Sequence, residues 1–272
     1  SVDAMTSIHW FRRDLRLDDN PALLDALRSA DATGGDVVGL FVERVEDYRA
    51  VVVRCGPGEV TDRVREGLAD AARVVVPAGK LAYVDDAGTY TYGELGARVN
   101  RCANALTALG IAPEQRVLLC LLDTIDFPAA FLGAIKAGIV PIAANTLLTT
   151  NDYDYMLRDS RARALVVSAP LLPAFAPLLG KHPHLAHVIV SGGDPGPHVA
   201  LAALMAAADA TATAADTTRD DAAFWLYSSG STGAPKGTVH VHSSLVSTGE
   251  LFAKPILGMR EDDIVFSSAK LF

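Results

Sequence analysis

The sequence predicts an α/β fold of mostly parallel, helix-covered sheets. Three observations predict it. Strand-like and helical stretches alternate regularly between residues 117 and 191, the pattern of a sheet whose parallel strands are joined by helices. The chain opens on a strand–helix–strand pattern of the same kind. Its composition, 50% hydrophobic and 21% charged, is that of a globular chain with a real core, not of a disordered or collagen-like one.

In order along the chain, residues 7–11 read as a short strand. Asn20 followed by Pro21 reads as a helix start, because Asn accepts a backbone N–H and Pro lacks the donor that would be orphaned there. Leu23, Leu24 and Leu27 give that helix an apolar face, and Gly34 and Gly35 end the unit before a strand at 37–42. A second unit follows, with strands at 51–53 and 74–76 flanking a helix that carries Val60, Val64 and Leu68.

Near residue 80 the pattern changes. Residues 81–84, the turn Asp85-Asp86-Ala87-Gly88 and residues 89–92 form a hairpin signal. Thr91 and Glu94 have capping-box spacing, and the helix they open carries Leu95, Val99, Cys102 and Leu106 on one stripe before Gly110 stops it. Strands follow at 117–122, 139–143, 164–168 and 187–191, with helices beginning near Phe127, Asp152 and Leu171. The Ala-, Asp- and Thr-rich residues 200–223 read as a short helix running into a solvated connector, and an apolar strand at 224–227 closes it.

At about 150 residues per domain, 272 residues allow one large domain or two modest ones. A net charge of −8 disfavours general nucleic-acid binding. The three cysteines, Cys55, Cys102 and Cys120, form no CxxC pair, so they read as ordinary thiols of a reducing, cytoplasmic compartment. The opening SVDAMTSIHWFRRDLR lacks the order of a signal peptide, and the most apolar region, 117–144, is interrupted by Asp123, Asp126, Pro128 and Lys136, too often for a membrane helix.

The most informative string is YSSGSTGAPKG, residues 227–237. Its small residues let backbone approach a ligand closely, its N–H and hydroxyl groups can donate to phosphate oxygens, and Lys236 adds a mobile positive charge. It is not a Walker A loop, because Lys236 stands between Pro235 and Gly237. Residues 238–241 are β-branched and strand-like, which sets it apart from dinucleotide-binding loops that open a helix.

YSSGSTGAPKGTVHVH resembles the phosphate-binding signature of the adenylate-forming superfamily, the acyl-CoA synthetases and their relatives. Residues 80–272 are similar to the N-terminal part of benzoate-CoA ligases, through LAYVDDAGTYTYGEL, RVLLCLLDTIDFPAAFLGAIKAGIVPIAANTLLT, DDAAFWLYSSGSTGAPKG and DDIVFSSAKLF. The resemblance implies ATP, Mg2+ and coenzyme A as cofactors, an aromatic carboxylate such as benzoate as substrate, and two steps, acyl-adenylate formation and thioester formation. It places the grip on the β- and γ-phosphates at Ser228, Ser229, Gly230, Ser231, Thr232, Gly233 and Lys236. The sequence ends at Phe272, ahead of the segments that in such ligases supply the acid pocket, adenine and ribose contacts, the metal-contacting acid and the C-terminal domain with its catalytic Lys. The expectation is therefore that this polypeptide alone does not complete adenylation, and no catalytic residue is assigned. A strand at 264–268 would then present an unpaired edge and an apolar patch.

IHWFRRDLRLDDNPALLDAL, residues 8–27, resembles instead the start of the N-terminal α/β domain of DNA photolyases and cryptochromes, and the similarity extends more weakly to residue 76. The implied organisation is a photolyase-like segment at 1–79 and an acyl-CoA ligase portion at 80–272. No FAD is expected, because photolyases bind flavin in a separate helical domain. Arg12, Arg13 and Arg16 could form an anion or antenna-cofactor site; balanced by Asp14, Asp18 and Asp19 they read more simply as a solvated loop. Trp10 reads as packing. The alternatives to a ligase are a photolyase-like protein with an altered C-terminus and an inactive mosaic that at most binds nucleotide phosphate.

The remaining polar groups are weaker signals. His182, His184 and His187 read as histidines of a surface loop rather than metal ligands. His240 and His242 alternate after the loop and would project to one face, where His240 could approach substrate; a satisfied strand histidine is the other reading. Asp123 and Asp126 read as loop and helix-cap groups. The partners implied are small molecules, with neither nucleic acid nor membrane.

Overall fold

A computed structural model of the chain describes the backbone of three N-terminal strands, then residues 78–228 and 235–260, with Asp263 and Val265. Residues 75–243 belong to one compact unit, and the N-terminal strands and the segment from Ser244 to a second. In the latter, β1 (Ser7–Phe11) pairs in parallel with β2 (Val37–Phe41), which pairs antiparallel with β3 (Val52–Cys55). The helices expected near 21–27 and 60–68 and the strand expected at 74–76 lie outside the described residues, as do Arg12, Arg13, Arg16 and, apart from Val265, the strand expected at 264–268.

The larger unit begins with the expected hairpin, β4 (Leu81–Asp85) and β5 (Gly88–Thr91). Asp85 makes the turn itself: one carboxylate oxygen accepts from the Ala87 and Gly88 amides at 2.9 and 3.0 Å, closing the loop with the local geometry that Asp favours. Helix α1 (Tyr92–Ala108) follows on a complete capping box, in which the Thr91 hydroxyl accepts from the Glu94 amide while Glu94 accepts from the Thr91 amide at 2.7 Å. It ends before Gly110, whose φ of +75° lies in the left-handed region that favours glycine. Its buried residues are Cys102, Ala103, Ala105 and Leu106; Leu95 and Val99, expected on the same stripe, are only half-buried.

The elements then alternate: β6 (Arg116–Cys120), α2 (Asp126–Lys136), β7 (Val140–Ala143), α3 (Thr150–Ser160), β8 (Ala164–Ser168), the short helix α4 (Leu172–Phe175), β9 (His187–Ser191), β10 (Val199–Ala200) and α5 (Leu201–Ala207). The helical stretch near Leu171 is broken into single turns, at each of which a proline, Pro170, Pro173 or Pro177, occupies one of the first positions. Strand β11 (Ala222–Ser228) returns to the sheet and β12 (Lys236–Val241) leads into α6 (His242–Thr248).

The sheet has seven strands in the order β10-β9-β8-β6-β7-β11-β12, parallel except for the last pair. Strands β7 and β8 are buried along their whole length, because helices cover both faces. The period of two along β6 sorts its side chains: Val117 and Leu119 join Cys102, Leu106, Phe127, Ala134, Leu201 and Met205 of α1, α2 and α5. Leu118 and Cys120 join Tyr153, Met156 and Leu157 of α3 and Phe175 on the opposite face. Each fully buried Leu or Ile contributes about 1.5–3 kcal/mol relative to exposure, so these two layers carry most of the unit's stability.

Residues 208–221, expected to be a solvated connector, are largely exposed yet tied to α1. The Asn100 amide donates to the Ala210 carbonyl at 2.7 Å, the Asn104 amide to those of Asp209 and Thr211, and Arg101 to those of Met205 and Ala208. Composition could not reveal this, because the donors lie a hundred residues upstream.

Candidate functional site

Strand β6 is followed by β7 on one side and, after α3, by β8 on the other, so the strand order reverses between β6 and β8. In open α/β sheets ligands bind at the carboxyl edge near such a reversal. That edge is built from short polar contacts. The Ser168 hydroxyl accepts from the Leu122 amide at 3.0 Å, the second Asp85 oxygen accepts from the Ile125 amide at 2.8 Å, and the Ser191 hydroxyl donates to Asp126 at 2.7 Å. Asp126 also faces Arg98 at 3.6 Å. The expected helix-cap role of Asp126 is corrected here: it is the first residue of α2, the preceding Ile125 makes no side-chain cap, and the Asp126 carboxylate is used to hold Ser191.

Strand β11 runs parallel to β7, with Trp225 opposite Ile142 and Leu226 opposite Ala143. Its last residue, Ser228, therefore lies at the carboxyl edge. The antiparallel partner β12 starts there, with Lys236 directly opposite Ser228. Of the seven residues expected to grip phosphate, the two described ones thus face each other at the mouth of the loop, both exposed. Ser229, Gly230, Ser231, Thr232 and Gly233 lie outside the described residues. A hydroxyl and an ammonium opposed at a solvent-open mouth suit a polyanion, one as a donor and the other as a charge.

Below the mouth the hairpin has two distinct faces. Leu226 and Phe224 oppose Thr238 and His240, and by the period of two these share a face with Ser228 and Lys236. The His240 imidazole stacks on Phe224 with centroids 4.6 Å apart and planes 3° from parallel; Phe224 meets Phe131 edge-on at 5.3 Å, and Phe131 stacks on Phe127. Burial lowers the His240 pKa, so at neutral pH the ring is an uncharged aromatic surface. His242, expected beside His240 on the strand, is instead the first residue of α6, because β12 ends at Val241. The alternation therefore stops before it reaches His242.

The other face carries a feature that sequence reasoning missed. Tyr227 lies opposite Gly237, and its hydroxyl donates to the Asp159 carboxylate of α3 at 2.6 Å. Tyr155, one turn earlier on α3, meets the Tyr227 ring edge-on at 6.5 Å, and the Arg116 guanidinium lies 5.8 Å from the Trp225 ring centre. Burial first, and the bond to Asp159 second, raise the Tyr227 pKa, so the phenol remains a donor at neutral pH. The spacing of Tyr155 and Asp159 placed both on one face of a helix, but nothing in it named a partner 68 residues away.

Of the three histidines expected on a surface loop, His184 is exposed and His182 turns its ring toward Asp154 at 3.1 Å, whereas His187 is the half-buried first residue of β9. Among the described residues no group of three His, Cys, Asp or Glu side chains could hold a metal ion, and no helix is long and apolar enough to cross a membrane.

Comparison with known proteins decides the family. The model of the AMP-binding enzyme family matches residues 70–272. The chain belongs to that family. Residues 7–74 match the DNA photolyase model. Among curated relatives of the AMP-binding region, the benzoate–CoA ligase of Thauera aromatica is 64% identical over 195 residues, covering 71% of this chain and 37% of the relative. The 4-hydroxybenzoate–CoA/benzoate–CoA ligase of Rhodopseudomonas palustris is 46% identical over 194 residues, 36% of its length. The chain thus spans little more than a third of the length of these relatives. Among solved structures, a benzoate CoA ligase from Burkholderia xenovorans LB400 superposes with a TM-score of 0.65 at 48% identity, over 77% of this chain and 40% of that one. The anthranilate CoA ligase AuaEII, solved with anthranoyl-AMP, superposes with a TM-score of 0.68 at 33% identity, over 74% of this chain and 38% of that one. The helix-covered parallel sheet of this AMP-binding unit is thus the architecture of the corresponding part of aryl-CoA ligases.

Proposed function

We propose that this chain provides the phosphate-gripping part of a cytoplasmic ligase that activates an aromatic carboxylate with ATP and passes the acyl group to coenzyme A. In the first step a carboxylate oxygen bonds to the α-phosphorus, the α–β phosphoanhydride bond breaks, and pyrophosphate carries away the electron pair. In the second the coenzyme A thiolate adds at the acyl carbon and AMP leaves. Ser228, Ser229, Gly230, Ser231, Thr232, Gly233 and Lys236 hold the β- and γ-phosphates, supplying donors and charge where negative charge accumulates on the leaving pyrophosphate. His240, on the same sheet face as Lys236, stands on the substrate side. Magnesium accompanies the triphosphate, and no residue here is assigned to it. The photolyase-like segment, residues 1–79, precedes this portion.

The observation that carries the reading is the register pair Ser228–Lys236 at the carboxyl edge of the sheet, within the residues 70–272 that match the AMP-binding enzyme family. The two buried free thiols, Cys102 and Cys120, suit a reducing compartment. Calorimetric titration of the chain with Mg-ATP tests the reading. Binding that weakens about tenfold in Lys236→Ala, the loss of one charge-assisted contact, is the expected result. Equal affinity in the two proteins would overturn it.

A further inference from the structure

The mouth of the glycine-rich loop sits on an edge strand. Among the described residues β12 has one neighbour in the sheet, β11, and Lys236–Val239 are exposed. A strand held from one side only should fray readily, carrying Lys236 with it. The structure contains a device against that fraying. Tyr227 precedes Ser228, and its partner Gly237 follows Lys236, so this pair is the first rung below the mouth. The Tyr227 ring lies across the β12 backbone at Gly237, where an added Cβ would be 3.4 Å from the ring and equally close to Trp225. From there the hydroxyl reaches Asp159 at 2.6 Å, with the Tyr155 ring set edge-on beside it. Helix α3 is itself fixed in the core by Tyr153, Met156 and Leu157.

We propose that Tyr227 is a positioning residue for the phosphate loop, its bond to Asp159 bolting the first rung of the hairpin to α3 so that Ser228 and Lys236 stay opposed. The proposal rests on the phosphate-binding reading of the loop, and it adds to that reading the groups that hold the loop's two ends. The Tyr–Asp contact touches no phosphate. It acts through the strand backbone, by sparing the nucleotide the cost of ordering the mouth. A charge-assisted O–H···O⁻ bond is stronger than a neutral one.

The test uses the full chain in five forms: wild type, Tyr227→Phe, Asp159→Ala, the double variant and Asp159→Asn, whose amide oxygen still accepts. Amide hydrogen exchange without nucleotide is expected to speed up about tenfold at Ser228 and Lys236–Val239 in Tyr227→Phe and Asp159→Ala, no further in the double variant, and to be largely restored in Asp159→Asn. Mg-ATP affinity should fall several-fold in the same variants. Exchange at β6 and β8 should not change. Unchanged exchange at the mouth, acceleration spread over the whole sheet, or additive effects in the double variant would each overturn the proposal. If wild type binds no Mg-ATP, the phosphate-binding reading fails, while the exchange experiment still decides whether Tyr227 anchors the hairpin.

Discussion

Phe224 and His240 face each other across the β11–β12 pair with ring planes 3° from parallel. The contact ties the imidazole into an aromatic ladder that reaches α2 and leaves it partly shielded from water, which disfavours its charged form. The unfolded chain therefore binds a proton at a higher pH than the folded one does. Stability contributed by the neutral ring is complete above about pH 6.5 and is lost as pH falls through the lower folded-state value. Thermal unfolding followed between pH 7.5 and 5 should show this loss, and His240→Phe should show a smaller one over the same range. An NMR titration placing the His240 midpoint above 6.5 would contradict the prediction.

Close packing of α1 on α2 depends on Gly133. A Cβ there would lie 2.8 Å from the Cβ of Cys102 and 2.9 Å from the Val99 carbonyl oxygen, inside ordinary contact distance. Alanine is the better helix former by about 1 kcal/mol, so propensity alone favours Gly133→Ala. The clash is with backbone and a buried Cβ, neither of which can rotate away, and overpacking of this kind costs about 1–3 kcal/mol. Net destabilisation of up to about 2 kcal/mol in urea unfolding is expected.

Much of this architecture could be read from the sequence, and the exceptions share a cause. The capping box at Thr91 and Glu94 and strands β8 and β9 were legible because each rests on residues near one another in the chain. The glycine-rich string was equally local; the strands expected at 224–227 and 238–241 run one and two residues further into it, and that extension sets Ser228 opposite Lys236. The Asp126–Ser191 bond, the connector's attachment to α1 and the Tyr227–Asp159 contact join residues 65 or more apart. Their donors and acceptors look like any solvated polar residues until the sheet order brings them together. His242 failed for a different reason: alternation predicts a shared face only while the strand continues, and the sequence did not mark its end.

The two described thiols should be chemically silent in the folded chain. Burial pushes the Cys102 pKa up to about 12, with Asp126 adding to the effect. Burial likewise raises Cys120 to about 11, against the lowering effect of its bond to Tyr153. At pH 8 about one Cys120 in a thousand is thiolate, and both side chains lie beneath helices. Iodoacetamide treatment of native chain followed by peptide mass mapping should leave both unmodified, and treatment in urea should label both. Rapid native labelling of either would show that the sheet faces open locally.

Asp85 joins the β4–β5 hairpin to the carboxyl edge of the main sheet, and its two oxygens do different work. One serves the turn amides of Ala87 and Gly88, which are near solvent; the other serves the amide of Ile125, a residue only 4% exposed. Losing the first contact lets water replace it. Losing the second strands a largely buried donor just where α2 begins, a penalty of about 1–3 kcal/mol. Asp85→Ala should therefore destabilise the chain by about 2 kcal/mol. Asp85→Asn keeps one acceptor oxygen and should lose less than half as much if that oxygen turns to Ile125. Equal losses in the two variants, measured by urea unfolding, would place the importance of Asp85 in its charge rather than in the bond to Ile125.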